Sequence, residues 1–373
     1  MKTVLISGSS VAGTALAYWL REQGLTPVVV ERAPAQRRGG QAIDVRGAAL
    51  TVLRRMGLED QARALKNHSN GMSMLDPEGN ELFRSEEFAL SSGSLDSDDV
   101  EILREDLVDL VHARNDGVEY LYGDSIAAIH QEDDAVTVEF EHAAPRRFDL
   151  VLGADGLHSN TRRLAFGPES AYINHLGTYL SVFSSDNYLG MDRWQTWFND
   201  GTNGGAVMTV RDNAELRIYL GFASDPVEYD HRDTEAQKRL VAERVTGFSW
   251  EVPTFLERMA TAEDFYFDSM AQIEMDAWST GRVALVGDAA HCAAPLSGQG
   301  TSLALVGAYV LAYELGRTDD HAVAFARYES RMRPFVEANQ QLAFIDRQTV
   351  DPEEATRRVD AVKNLIDLDE DVD

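Results

Sequence analysis

A chain of 373 residues with 62 acidic against 34 basic side chains carries a net charge of −28, and its 44% hydrophobic residues supply a large core. The length exceeds what one core ordinarily organises, so interleaved or sequential domains are expected, and the acidity argues against a nucleic-acid backbone or an anionic lipid surface as partner. Cys292 alone excludes an internal disulfide and a cysteine-based metal site, and no window reaches the roughly 18 apolar residues of a membrane span, so a cytoplasmic protein is expected.

Lys2 and the Ala15-Leu16-Ala17 triplet imitate a secretory leader, but Ser7-Gly8-Ser9-Ser10 breaks the apolar run. The same segment reads instead as a βαβ unit: a strand over 4–6, a glycine-bearing turn, a helix ending near Gly24 and a strand over 28–30 that ends on Glu31. The turn is G-x-S-x-x-G, Gly8 to Gly13, with Ser10 where the dinucleotide fingerprint prefers glycine; a small residue there still lets backbone approach a pyrophosphate. Gly8, Ser10, Val11, Ala12 and Gly13 would border that pyrophosphate, and Glu31, with Arg32 beside it, stands where an acid bonds a ribose hydroxyl. An adenine dinucleotide is therefore expected here.

Arg37, Arg38 and Arg46 fall in a glycine-rich stretch before a helix through Leu50, Leu53 and Met56, and in so acidic a chain they point to a nearby anion such as a nicotinamide cofactor's phosphate. A hairpin is expected over 72–84 around Asp76-Pro77-Glu78-Gly79-Asn80, then a helix through Leu107, Leu110 and Val111 with Arg104 at its mouth. Strands follow over 118–122, 126–130, 136–140 and 148–152, the last closing in Gly153-Ala154-Asp155-Gly156, a second turn suited to phosphate or flavin. From about 179 to 267, alternating segments rich in aromatic residues predict an antiparallel sheet that could roof a pocket, with a charged helix over 234–246.

Near the far end, the four apolar residues 283–286 read as a buried strand closing on Gly287-Asp288, and Pro295 and Gly298-Gln299-Gly300 lead into an apolar helix capped by Thr301-Ser302. A helix N-terminus there suits a group that becomes anionic, such as a reduced flavin, with Asp288 accepting from a ribityl hydroxyl. This second contact region favours FAD over NAD as the dinucleotide. His291 beside Asp288 is read as structural, a long helix is expected over 323–344, and 366–373 is expected to be a disordered acidic tail.

The fingerprint ending in Glu31, Gly153-Ala154-Asp155-Gly156, and Gly287-Asp288-Ala289-Ala290-His291 with Pro295 and Gly298-Gln299-Gly300 together resemble the single-component FAD-dependent aromatic monooxygenases, over nearly the whole chain. Glu101-Ile102-Leu103-Arg104-Glu105-Asp106-Leu107 and Ile43-Asp44 look most like the tetracycline-inactivating members. That resemblance implies an α/β fold: a Rossmann-like FAD-binding domain over 1–72, 101–175 and 276–345, an interleaved antiparallel substrate domain over 73–100 and 176–275, and long C-terminal helices with a helix and acidic tail over 346–373. It also implies that Glu31, Asp44, Arg104 and Asp288 hold FAD, that Arg37 meets NADPH or NADH, and that dioxygen, through a flavin hydroperoxide, hydroxylates a phenolic or polyketide-like small molecule. No catalytic side chain is named, because the flavin carries the chemistry; a monomer or homodimer is expected.

Rival readings remain. A plain NAD-dependent dehydrogenase leaves the Asp288 loop without a purpose, and Trp194-Gln195-Thr196-Trp197-Phe198 lacks the Ile-Pro of the flavin halogenase signature. A non-redox protein in which FAD only shapes a pocket, as a cyclase or binding scaffold, is the alternative from another class.

Overall fold

The structure is a computed structural model that describes residues 2–91, 93–345 and 352–369. Branched apolar runs form its first sheet: Thr3–Ser7 lies between Thr26–Glu31 and Leu150–Gly153, both parallel to it, with Glu119–Tyr122 and Val283–Leu285 parallel on the outer sides and Ser279–Thr280 antiparallel at one edge. Such a sheet needs cover on both faces. One face carries the helices Val11–Glu22 and Gly300–Gly316, with Val4, Ile6, Leu152 and Ala284 packed beneath them. The other receives Ile126–Gln131, Val136–Phe140 and Arg146–Phe148, whose Val136, Val138 and Phe148 meet Leu5, Val28, Val30 and Val151.

The helix Val11–Glu22 starts from Ser10 in extended backbone and stops where Gly24 turns left-handed at φ 75°, its amide bonding Arg21 O at 2.9 Å. The helix Gly300–Gly316 is buried almost all round, as its run of Leu, Val and Ala requires. Its cap differs from the expected one: Gln299 is the N-cap, and the Ser302 hydroxyl accepts instead from the Arg46 amide at 3.1 Å. The segment 98–107 also divides differently. Val100–Leu103 is a buried strand antiparallel to Ala42–Val45, and the helix begins only at Arg104; the alternating Val100 and Ile102 belong to a two-residue period masked by the helical spacing that follows.

A larger sheet runs in the order Tyr266–Ile273, Ile173–Asp186, Glu215–Ala223, Asn203–Val210, Gln195–Asn199, Met72–Leu75, Glu81–Ser85. Its ladders are antiparallel as expected except one: Met72–Leu75 lies parallel to Gln195–Asn199. The helices Thr234–Arg244 and Val252–Thr261, the second not foreseen, close one face over Phe183, Phe198, Ile218 and Phe222. The long helix is His321–Gln341, followed by a 3-10 turn at Leu342–Phe344. The tail departs from the expected disorder: Ile366 and Leu368 are buried in the first core, while 370–373 lie outside the described residues. No helix among the described residues is long and apolar enough to cross a membrane.

Candidate active site

The fingerprint turn is built by close backbone approach. Gly8 has φ 102°, and a side-chain carbon there would lie 2.5 Å from Ala154 O; one at Gly13 would lie 1.9 Å from Gly8 O. Helix and strand can meet this tightly only without side chains. Glu31 closes the turn from the neighbouring strand, its Oε2 accepting from the Ser9 amide at 2.9 Å and hydroxyl at 3.0 Å, and its Oε1 from the Ala33 amide at 2.9 Å. A carboxylate has about four acceptor positions, so a ribose hydroxyl still fits. Arg32 beside it is exposed.

The far motif arrives at the same place. Gly287, with φ 64°, caps the short helix Asp288–His291, and a side-chain carbon on it would come 2.9 Å from Ala12 Cβ in the fingerprint helix. Gly300, first residue of the long helix, stands before the Asp288 carboxylate, with 3.8 Å from its added-carbon position to Oδ1. Asp288 touches solvent, yet the protein crowded around the crevice pushes its carboxyl above the ordinary range, and Asp268 adds to the effect. Between them Ala294, buried, holds φ 64° and ψ 152°, a region that favours glycine, followed by left-handed Gly298. Such strain persists where the surroundings over-determine a loop. Pro295 projects into solvent from this loop.

Arg104 carries the Arg37–Gly40 stretch rather than standing at an open mouth. Its Nη2 donates to Gly39 O at 2.6 Å and Arg37 O at 3.2 Å, and burial with the nearby Arg37 charge lowers its guanidinium to about 10. Glu105 takes the Gly39 amide at 2.8 Å and pairs with Arg211 at 2.7 Å. The three arginines separate in role. Arg37 is exposed, 5.9 Å above the Tyr266 ring; Arg38 pairs with Asp109 at 2.7 Å; Arg46 is buried and pairs with Asp44 at 2.8 Å. Asp44 and the buried Glu101 lie close together, and burial with the Asp44 charge raises Glu101 to about 7.

Asp155 is spent inside the fold. Its carboxylate accepts from Ser159 Oγ, from Ser7 Oγ at 3.1 Å and from the Thr161 amide and hydroxyl at 2.9 and 2.8 Å, tying the first strand to the helix Asn160–Ala165. That saturation leaves it the role of a framework residue. His291, buried between Trp278 and Tyr328, is lowered to about 4 by desolvation and is neutral, in keeping with a structural reading.

An FAD fits these residues. Gln299 is fully buried, and neither its amide oxygen nor its nitrogen has a protein partner among the described residues; Arg104 Nε is likewise a buried donor without one. Unpaired buried polar groups are costly. Two such groups around a glycine cradle and a helix N-terminus suit a polar ligand.

The chain matches the FAD binding domain family over residues 1–343. It belongs to that family. An uncharacterized protein of Mycobacterium tuberculosis is 52% identical over 345 residues, 92% of each chain. A flavin-dependent monooxygenase from an unknown prokaryotic organism is 40% identical over 98% of this chain and 96% of its own. The crystal structure of tetracycline destructase Tet(51) aligns with a TM-score of 0.88 at 35% identity, covering 99% of both chains. This FAD-binding protein is thus a member of the flavin-dependent monooxygenases, an oxidoreductase of the fold expected.

Sequence reasoning missed one cluster beside the flavin site. Asp268 accepts from Tyr229 Oη and Tyr266 Oη, each at 3.1 Å, and faces His158 Nε2 at 2.9 Å. Glu169 holds His158 Nδ1 at 2.8 Å and is braced by Arg162, which also donates to Ala289 O in the Asp288 helix. Burial opposes charge on His158, but Asp268 and Glu169 prevail and hold the ring up at about 9. Tyr266 Oη is pushed well above its ordinary range by burial. An outer groove of about 490 Å³ along Ser279, Gly281 and Phe325 touches none of these groups.

Proposed function

We propose that this protein is an FAD-dependent monooxygenase that uses NADPH or NADH and dioxygen to hydroxylate a phenolic, polyketide-like or other electron-rich small molecule. The observation that carries the reading is the convergence of the Asp288 helix, the buried Gln299 amide and the glycine cradle on one crevice. Bound FAD would supply the redox chemistry: acceptance of hydride from the nicotinamide and transfer of one oxygen atom of dioxygen to the substrate, the other leaving as water. The chain's own residues position and shield. Gly8 to Gly13 receive the pyrophosphate, Glu31 a ribose hydroxyl, Asp288 a ribityl hydroxyl, and the N-terminus of Gly300–Gly316 favours negative charge on the reduced ring. Asp44 and Arg104 would complete the FAD contacts, Asp44 held in place by its pair with Arg46 and Arg104 offering its unpartnered Nε while its Nη2 holds the loop that presents Arg37. The sheet from Ile173 to Ile273 would roof the substrate, and the substrate class is supported by likeness to the tetracycline destructase. A cytoplasmic monomer or homodimer fits the reading.

Purified protein should be yellow, with about one flavin released per chain, and a phenolic substrate should stimulate NADPH oxidation with matching oxygen uptake. Flavin without any substrate-stimulated oxidation would favour the non-redox scaffold instead. Asp288→Ala should weaken flavin retention by about 1.5–3 kcal/mol, the worth of a charge-assisted hydrogen bond. Unchanged occupancy in a folded variant would remove Asp288 from the site.

A further inference from the structure

Where the first domain meets the larger sheet, three side chains from separate segments converge. His158 comes from the turn after Leu150–Gly153, His231 from the connection after Glu215–Ala223, and Asp268 from Tyr266–Ile273. One ligand-capable atom from each lies within 4.8 Å of the others. The imidazoles of His158 and His231 lie with centroids 4.0 Å apart, tilted by 48°, and His158 Nε2 is 2.9 Å from Asp268 Oδ1.

We propose that His158, His231 and Asp268 form a binding site for a divalent transition-metal ion of borderline softness, zinc being the type case, which staples the two domains together. Two imidazoles and one carboxylate are the donor set such an ion takes, with a water completing the tetrahedron on the side where His231 is exposed. Ligands at about 2.1 Å around a tetrahedral ion sit roughly 3.4 Å apart, so atoms already within 4.8 Å of one another need only a small turn of the exposed His231 ring to close on an ion.

The surroundings are built as an outer shell. Glu169 Oε1 lies 2.8 Å from His158 Nδ1, which fixes that nitrogen as the donor and turns Nε2 inward, the carboxylate–histidine pairing that orients metal-bound imidazoles. Arg162 braces Glu169 from behind at 2.8 Å, and the Tyr266 hydroxyl holds the second Asp268 oxygen at 3.1 Å. In the metal-free protein a proton on His158 Nε2 bridges to Asp268. Metal binding exchanges that proton for the ion: the N–H bond breaks, the nitrogen lone pair goes to the metal, and one proton leaves to solvent, with no change of oxidation state. The ion and the proton are alternative staples at one position.

The test uses the full-length, flavin-loaded protein after treatment with chelator and dialysis. Equilibrium dialysis against zinc, with elemental analysis, should find one ion per chain, and calorimetry in buffers of different ionisation enthalpy should show about one proton released. His231→Ala alters an exposed side chain and should fold; it should weaken zinc binding at least tenfold, while the distant surface variant His142→Ala should leave it unchanged. His158→Gln should abolish binding. No zinc uptake by the wild-type protein, or equal uptake by His231→Ala, would overturn the site, and either result leaves the flavin chemistry untouched.

Discussion

Arg37 and Arg38 are adjacent in sequence and opposite in circumstance. Arg38 is neutralised by Asp109, whereas Arg37 reaches over Tyr266 at the edge of the flavin crevice. If Arg37 meets the nicotinamide cofactor, Arg37→Ala should raise the KM for NADPH and slow flavin reduction tenfold to hundredfold, about 1.5–3 kcal/mol, with flavin content unchanged. Stopped-flow reduction of Arg37→Ala beside Arg38→Ala decides it; equal small losses would mean only a general field. Glu101 makes a pH prediction. Its folded value near 7 exceeds that of an ordinary carboxylate, so its stabilising contribution is complete below the unfolded value and is lost as pH rises through 7. The wild type should lose on the order of 3 kcal/mol between pH 4.5 and 8 that Glu101→Gln keeps, read from denaturant midpoints. Parallel curves for the two proteins would show that Glu101 is not the group responsible. Gly8, Gly13, Glu31 and Asp288 were legible in the sequence because each depends on spacing along one short segment. Asp268 and His158, 110 residues apart, meet only through the sheet register, and no local pattern marks them.

Among the elements, the fingerprint helix sits where two tendencies oppose. Alanine at a helical glycine gains about 1 kcal/mol of propensity, but at Gly13 its methyl would meet the Gly8 carbonyl at 1.9 Å, a backbone atom that cannot swing away. The clash wins, and Gly13→Ala should lose bound flavin at least tenfold as the helix lifts from the strand. Gly24→Ala is the matched comparison: nothing described lies within 4 Å, φ is 75°, and the cost should be only about 1–2 kcal/mol of stability with flavin retained. Equal flavin loss in both would point to general unfolding rather than the contact. Elements with one clear period, such as the parallel core strands, were read closely from sequence. Val100–Leu103 was not, because four residues of alternation give way at once to a helix, and Val252–Thr261 was missed because Pro253 reads as a break although proline suits a first helical turn.

For the molecule as a whole, the α/β class and the FAD-binding fold were legible, and the course of the tail was not. Composition made 366–373 look soluble, but Ile366 and Leu368 fill the first core, Arg55 Nη2 donates to Leu368 O at 2.6 Å, and Lys363 pairs with Asp99 at 3.1 Å. Two apolar residues in an acidic stretch suffice once a groove is ready for them. Leu368→Ala should therefore cost about 2–4 kcal/mol, against less than about 0.5 kcal/mol for the exposed Leu365→Ala; thermal unfolding of both would show it, and equal shifts would mean that the tail docks weakly.

The parallel pairing of Met72–Leu75 with Gln195–Asn199 bears on how the protein is made. During synthesis the early hairpin emerges long before its partner strand, and the first sheet stays open at one side until Val283–Leu285 arrives beside Leu150–Gly153. At about 5–20 residues per second those intervals last roughly 6–26 s. The crevice between the Gly8–Gly13 turn and the Asp288 helix is therefore complete only late in synthesis, which makes closure around a flavin a late step of folding.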